Sequence, residues 1–468
     1  MTQAQHIQQT PQPLRAFNPA TGKEVRTRDT DSPALVEAKL TKAQSAFDIW
    51  RKTPIAERGD YLRALAKTLR EAASKHANLM TEEMGKPEKE AYGELEKAAF
   101  CAEHYAENGA SYLERDVIPS DATLSYVQHL PLGPILGILP WNAPYWLALR
   151  FLAPALMAGN TCVLKHDPNV PGCAQAIEQA FKDAGFPEGV MQVLYLHTPE
   201  VEQVIRDPRI QAVSFTGSSK GGAAVASIAA SEIKPCVMEL GGSDPFIILQ
   251  DADLEKATDT AALSRIINAG QSCIAAKRII VEASVYDDVV ALLEKKFARL
   301  NVGDPTDTSN HIGPIARADL RENLHGQVQK TVQQGGKCLM GGTLPDGAGF
   351  FYPMTLLVDV TPDMCAFREE TFGPVGVVIK AEDAAHALAM ANNTPYGLGS
   401  SIWSHDAERA QAMAQDIFAG QVSINGIVKT DPRLPSGGVK NSGYGRELGA
   451  LGIKEFTNAQ QVWIGPAK

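Results

Sequence analysis

The sequence predicts an α/β protein built from two successive doubly wound domains, and three observations carry that prediction. From residue 132 onward short apolar runs alternate with helical stretches, several of those runs lack in-and-out alternation, and the series restarts after the glycine pair Gly241–Gly242. Strands apolar on both faces are covered on both faces, which calls for a parallel sheet between helical layers. A chain of 468 residues, 44% hydrophobic and 21% charged, exceeds the usual size of one domain and has apolar residues enough for two cores.

The first ~15 residues, rich in Gln, Thr and Pro, read as a mobile tail. Val36, Leu40, Ala43, Phe47 and Trp50 recur every three or four residues and predict a helix near 33–51. A second helix is predicted from Thr53-Pro54, a capping residue followed by proline, and carries Leu62, Leu65 and Leu69. The first strand series is Ile135–Leu139, Thr161–Lys165, Val190–Leu196, Ala212–Thr216, Cys236–Leu240 and Pro245–Leu249. The second is Arg278–Glu282, Thr355–Val360, Val375–Ala381, Gly397–Ser404 and Gly420–Asn425, with a helix over Asp383–Asn393.

Charge and cysteine usage narrow the function. The net charge of −10 is spread along the chain and leaves no basic stripe for a phosphate backbone, so nucleic acid is not an expected partner. The polar N-terminus lacks the apolar core of a signal peptide, and no stretch is apolar enough to span a membrane; a soluble, cytoplasmic protein is expected. Seven cysteines without a CxxC pair or metal-ligand spacing predict reduced thiols and no metal site.

Four segments carry chemistry. FTGSSKGG (Phe215–Gly222) joins a strand to a helix, where glycines let backbone amides approach a pyrophosphate; it is neither GxGxxG nor a P-loop, and a plain turn is an equal reading. CVMELGGSDP (Cys236–Pro245) ends an apolar strand on Glu239, placed either for an ion pair or as a general base. NAGQSCIAAKR (Asn268–Arg278) sets Cys273 among small residues that keep a thiol accessible, and PWNAP (Pro140–Pro144) brackets the Asn142 amide, a turn former or an oxyanion donor. The paired acids of REETFGPV (Arg368–Val375) read locally as a solvated loop.

Taken together and in this order, from FNPATG at Phe17 to the C-terminus, these segments resemble the signature set of the NAD(P)-dependent aldehyde dehydrogenase superfamily. The resemblance implies Cys273 as nucleophile, Glu239 as general base, and Asn142 with the Cys273 amide as oxyanion hole, so that an aldehyde becomes an acid through a thioester. It implies NAD or NADP as cofactor, with Lys165 at the adenosine ribose, Gly217, Ser218 and Gly222 at the pyrophosphate, and Leu139, Pro140, Trp141 and Leu240 along the dinucleotide. Glu370 and Phe372 would hold the nicotinamide end. It also implies a cofactor domain (1–110 and 132–241), a catalytic domain (242–450) and a β-ribbon oligomerisation unit (111–131 and 451–468), in a homodimer or homotetramer.

Within the superfamily the chain is similar to bacterial succinate-semialdehyde dehydrogenases, on the run Lys165-His166-Asp167-Pro168-Asn169 and on Arg150. A guanidinium in the aldehyde tunnel would favour a distal carboxylate, and Arg150, Trp146 and Arg433 are the expected substrate contacts. Departures are Ile267, where members of that group carry a second arginine, and Pro435-Ser436-Gly437-Gly438 in place of Pro-Phe-Gly-Gly, preceded by Lys429, Asp431 and Arg433. Trp146 and Tyr145 could instead suit a bulkier or aromatic aldehyde, with core packing an equal reading of them; the alternative substrate is a neutral aliphatic or aromatic aldehyde, and an internal or subunit ion pair is an equal reading of Arg150. Glu239 argues against a CoA-acylating relative, and the retained triad against a catalytically silent scaffold. Pro168 stands where NAD-selective relatives place a glutamate, which predicts use of both cofactors.

Overall fold

The computed structural model describes residues 12–466. Its two largest sheets correspond to the two strand series except at Pro245–Leu249, expected in the first, which follows the crossing at Gly241–Gly242 and lies in the second sheet as Asp244–Ile248. One holds, in spatial order, Gly443–Tyr444, Cys236–Glu239, Ala212–Thr216, Pro134–Leu139, Thr161–His166 and Met191–Val193, parallel except for the first. The other runs Lys337–Met340, Thr355–Val358, Val375–Ala381, Ala276–Glu282, Asp244–Ile248, Gly399–Trp403 and Gln421–Ile424, again parallel except for its first strand. The chain crosses from one sheet to the other at Gly241–Gly242 and returns to the first at Gly443–Tyr444, beside Glu239. In a third, three-stranded sheet the central strand Leu124–Pro131 pairs with Thr457–Ile464 on one side and Asp116–Val117 on the other.

In the first sheet the chain runs from Pro134–Leu139 outward through Thr161–His166 to Met191–Val193, then jumps back to Ala212–Thr216 on the other side. The crevice at the C-terminal ends of Pro134–Leu139 and Ala212–Thr216 is therefore a topological switch point, where open α/β sheets take ligands.

Local chemistry explains the helices that flank it. Ser32 caps Pro33–Trp50, its Oγ accepting from the Leu35 amide at 3.3 Å, and Leu40, Ala43, Phe47 and Trp50 are buried. Pro144–Met157 is buried along its whole length, Arg150 included, so it lies in the core with an apolar surface all round. Glu88–Tyr112 packs against it and against Ile55–Glu71.

Several expectations need correction. Of the segment read as a tail, residues 1–11 lie outside the described residues, but Leu14–Phe17 is a strand paired with Glu24–Arg28. The second helix begins at Ile55, and Thr53 does not cap it; its Oγ1 donates backward to the Ile49 carbonyl at 3.4 Å. The strand expected over Val190–Leu196 stops at Val193, because Tyr195 exchanges backbone and carboxylate bonds with Asp31.

Candidate active site

The loop before Cys273 is held in an unusual conformation. Asn268, Ala269 and Gly270 all have positive φ, 53°, 53° and 74°. Two non-glycine residues in this region cost conformational energy and persist only where their surroundings over-determine them. Here the Asn268 amide donates to Glu90 Oε2 at 2.7 Å, its side chain donates to the Asn142 and Gln271 carbonyls at 2.9 and 3.1 Å, and Gln271 Oε1 accepts from the Ala316 amide at 2.9 Å. At Gly270 a Cβ would lie 2.2 Å from the Gly373 carbonyl oxygen, so only glycine fits.

Asn142 is fixed from both ends. Its carbonyl accepts from Lys86 Nζ at 3.0 Å as well as from Asn268, and its Nδ2 donates to the Gln271 carbonyl at 3.2 Å, leaving one N–H for an incoming oxygen. Behind Cys273, Lys277 Nζ donates to the Ser272 carbonyl at 2.7 Å and to the Cys273 carbonyl, and pairs with Glu370 at 3.1 Å. Burial pushes the Cys273 thiol up to about 11, against the pull of Lys277 and Arg150. At rest Cys273 is therefore a thiol, and a nucleophilic role would require it to lose its proton.

Glu239 ends its strand buried, 3% exposed, with Oε2 3.4 Å from Arg150 and Oε1 without a hydrogen-bond partner among the described residues. Arg150 also pairs closely with Glu447, whose other oxygen accepts from Ser214 Oγ at 3.4 Å. Burial raises both carboxylates above their ordinary range, with Arg150 working against it. Gly437 completes the enclosure: a Cβ there would meet Glu239 Oε1 at 2.9 Å.

Cys273, Asn142, Trp146 and Arg150 line one cavity of about 460 Å³, together with Lys86, Glu90, Glu94, Lys97, Ile267 and Lys429. On the other side of the loop is the crevice at the strand ends. Lys165 is buried there without an ion pair among the described residues, and Ser218 caps the helix Ser219–Ser231, whose first amides have no acceptor within the helix. The cradle is tight. A Cβ on Gly217 would lie 2.7 Å from the Phe215 ring, and one on Gly222 2.4 Å from Leu240. Trp141 and Phe372 meet edge to face, ring centroids 6.0 Å apart, near the Glu370–Lys277 pair. A helix N-terminus, glycines that admit backbone contact and a free buried lysine fit an anionic dinucleotide.

A family comparison decides what this arrangement is: the sequence profile of the aldehyde dehydrogenase family matches residues 6–462. The chain belongs to the aldehyde dehydrogenase family. This family member is 47% identical to a probable succinate-semialdehyde dehydrogenase [NADP(+)] of Synechocystis over 96% of this chain and 99% of that one. It is 45% identical to the succinate semialdehyde dehydrogenase [NAD(P)+] Sad of Escherichia coli over 96% and 97%. A crystal structure of the Streptococcus pyogenes succinic semialdehyde dehydrogenase in complex with NADP+ superimposes with a TM-score of 0.95 at 35% identity, covering 97% of this chain and all of that one.

Of the substrate contacts expected for this aldehyde dehydrogenase, Trp146 lines the cavity and Arg150 reaches it with a guanidinium already shared by two carboxylates. Arg433 is not among the cavity-lining residues. Its side chain is exposed and holds Asp431 at 2.6 Å. The sequence reading missed the charged side of the cavity: Glu90, Glu94 and Lys97 fall at helical spacing on Glu88–Tyr112, and that periodicity was the available signal. It also missed Glu447, which no local pattern distinguishes from a surface acid.

Proposed function

We propose that this enzyme oxidises a carboxylate-bearing semialdehyde, succinate semialdehyde first among them, to the acid with NADP+ or NAD+. The observation that carries the reading is the cavity itself: Cys273 and Asn142 lie in a chamber whose walls also bear Lys97 and Lys429, neither in an ion pair among the described residues and so available to an anionic aldehyde. The relatives named above support the same substrate and either cofactor.

The chemistry divides among the residues. When bound in the crevice, the nicotinamide supplies the hydride acceptor. Cys273 gives up its proton to solvent and its sulfur adds to the carbonyl carbon, while the free N–H of Asn142 and the Cys273 amide donate to the oxygen that gains charge. Departure of the hydride leaves a thioester on Cys273. Glu239 then takes a proton from water as the water oxygen adds to the thioester carbon; the C–S bond breaks, the acid departs and the thiolate returns. Burial raises the proton affinity of the Glu239 carboxylate, which strengthens its ionised form as a base.

Cofactor breadth rests on Pro168. Asp167 beside it folds back, Oδ1 accepting from the Asn169 amide at 2.9 Å, so that oxygen is already occupied. Domain limits near 110, 132, 241 and 450, a cytoplasmic location and a homo-oligomer joined through the three-stranded sheet belong to the same proposal. The apolar side chains exposed on and beside that sheet, Val117, Ile118, Leu124, Trp463 and Ile464, support the last. A panel of aldehydes run with each cofactor and followed by reduced-nicotinamide absorbance tests the function. A kcat/KM for butanal above that for succinate semialdehyde would overturn it.

A further inference from the structure

Four cations line the aldehyde cavity; two are committed to carboxylates and a third is screened by solvent. Lys86 pairs closely with Glu94 and donates to the Asn142 carbonyl at 3.0 Å. Arg150 is held between Glu239 and Glu447. Lys429 is exposed to solvent. Lys97 is different: its Nζ sits 4.1 Å from the centroid of the Trp146 ring and donates to Thr430 Oγ1 at 2.7 Å, and it forms no ion pair among the described residues. An ammonium has three N–H donors, so at least one remains for a ligand.

We propose that Lys97 receives the distal carboxylate of the substrate and thereby sets the preference for semialdehydes, an inference that rests on the functional reading above. Geometry supports it at both ends. Asn142 directly precedes the helix Pro144–Met157, and Trp146 lies in the first turn of that helix. The oxyanion donor and the cation stacked on Trp146 thus line the same cavity as Cys273, so one small substrate can face both. An extended four-carbon semialdehyde spans about 4 Å between its carbonyl and carboxylate carbons, the separation that any trans four-atom chain imposes. Trp146 holds the ammonium by its π face without neutralising it, so the full charge is left for an anion.

The electrostatics agree. Burial and the nearby Arg150 lower Lys97, to about 8, while Glu94 and Cys101 on its own helix and Asp431 on the facing loop oppose them. Lys97 is therefore mostly charged at neutral pH, and an arriving carboxylate supplies the counterion it lacks.

The test uses the full-length enzyme with NADP+, comparing kcat/KM for succinate semialdehyde and butanal in wild type, Lys97→Met and Lys97→Arg. Methionine keeps an unbranched stem against Trp146 and removes the charge. The ratio of the two kcat/KM values should fall at least tenfold in Lys97→Met, through the KM for succinate semialdehyde, and arginine should restore most of it. Equal losses on both aldehydes, or a ratio within threefold of wild type, would overturn the assignment. The wild type gives an independent reading should the methionine variant fold poorly: its KM for succinate semialdehyde should rise as pH passes about 8 while that for butanal does not, and parallel profiles would also overturn it. A wild type that prefers butanal would instead sink the functional reading on which this one rests.

Discussion

Arg150 offers the sharpest test of how the site is held. Replacing it with methionine removes the only cation that, among the described residues, pairs with Glu239 and Glu447 and leaves two carboxylates buried at 3% exposure each. Breaking a buried pair in this way costs about 3–5 kcal/mol. The cost has a defined pH dependence. Burial already raises both carboxylates in the folded state, so the native protein binds more protons than the unfolded chain, and stability falls as pH rises from the ordinary carboxylate range through the raised values. Removing Arg150 moves both values further up, and each group then loses about 1.4 kcal/mol per pH unit across the added window. Arg150→Met should therefore unfold at lower denaturant concentration than wild type, by a small margin at pH 5 and a large one at pH 8. Denaturation followed by tryptophan fluorescence at the two values measures this, with steady-state kinetics on succinate semialdehyde and butanal alongside. Unchanged stability at pH 8 together with a KM raised only for succinate semialdehyde would refute the internal role and return Arg150 to the substrate.

The other predictions concern the chemistry. Glu239→Gln should release one equivalent of reduced cofactor in a rapid burst and then turn over at least a hundredfold more slowly than wild type, whereas Cys273→Ala should give neither phase; normal steady-state turnover in the glutamine variant would remove Glu239 from deacylation. With its thiol pushed up to about 11, Cys273 should react with iodoacetamide about tenfold faster for each pH unit between 7 and 9, since the thiolate fraction grows by that factor below the pKa; a pH-independent rate would mean a thiolate at rest. NADP+ and NAD+ should both support turnover, with kcat/KM values within about a thousandfold, roughly 4 kcal/mol, and a larger preference for NAD+ would mean that some carboxylate does what glutamate does in place of Pro168.

The strands around the site were legible because they are short, apolar and buried on both faces, as at Ala212–Thr216 and Val375–Ala381, where the predicted and observed limits coincide. The helix Glu88–Tyr112 was not. Its buried face is built largely of alanines with Glu94 and His104 among them, so it lacks the large apolar repeat by which Pro33–Trp50 was recognised. At the site, Cys273 and Asn142 could be read from their segments, and the structure brings both to one cavity. What their segments could not convey was the partner of each charge. Arg150 reads as a tunnel residue from its place after PWNAP, and only the return of the chain at Glu447, almost three hundred residues later, turns it inward. Asp431 likewise captures Arg433 two residues away, a local bond that a residue type alone does not announce.

That return of the chain has a consequence for biosynthesis. Glu239 is held by Gly443–Tyr444 pairing along its strand, by the Ser442 carbonyl accepting from the Leu240 amide at 3.0 Å, and through Arg150 by Glu447. All of these contacts depend on residues 442–447, made long after Glu239. About 200 residues separate Glu239 from them, which at 5–20 residues per second is a delay of roughly 10–40 s. On the proposed roles, a nascent chain carries Cys273 well before Glu239 is seated, so both halves of the reaction can run only after the segment around Gly443–Glu447 has closed over the strand.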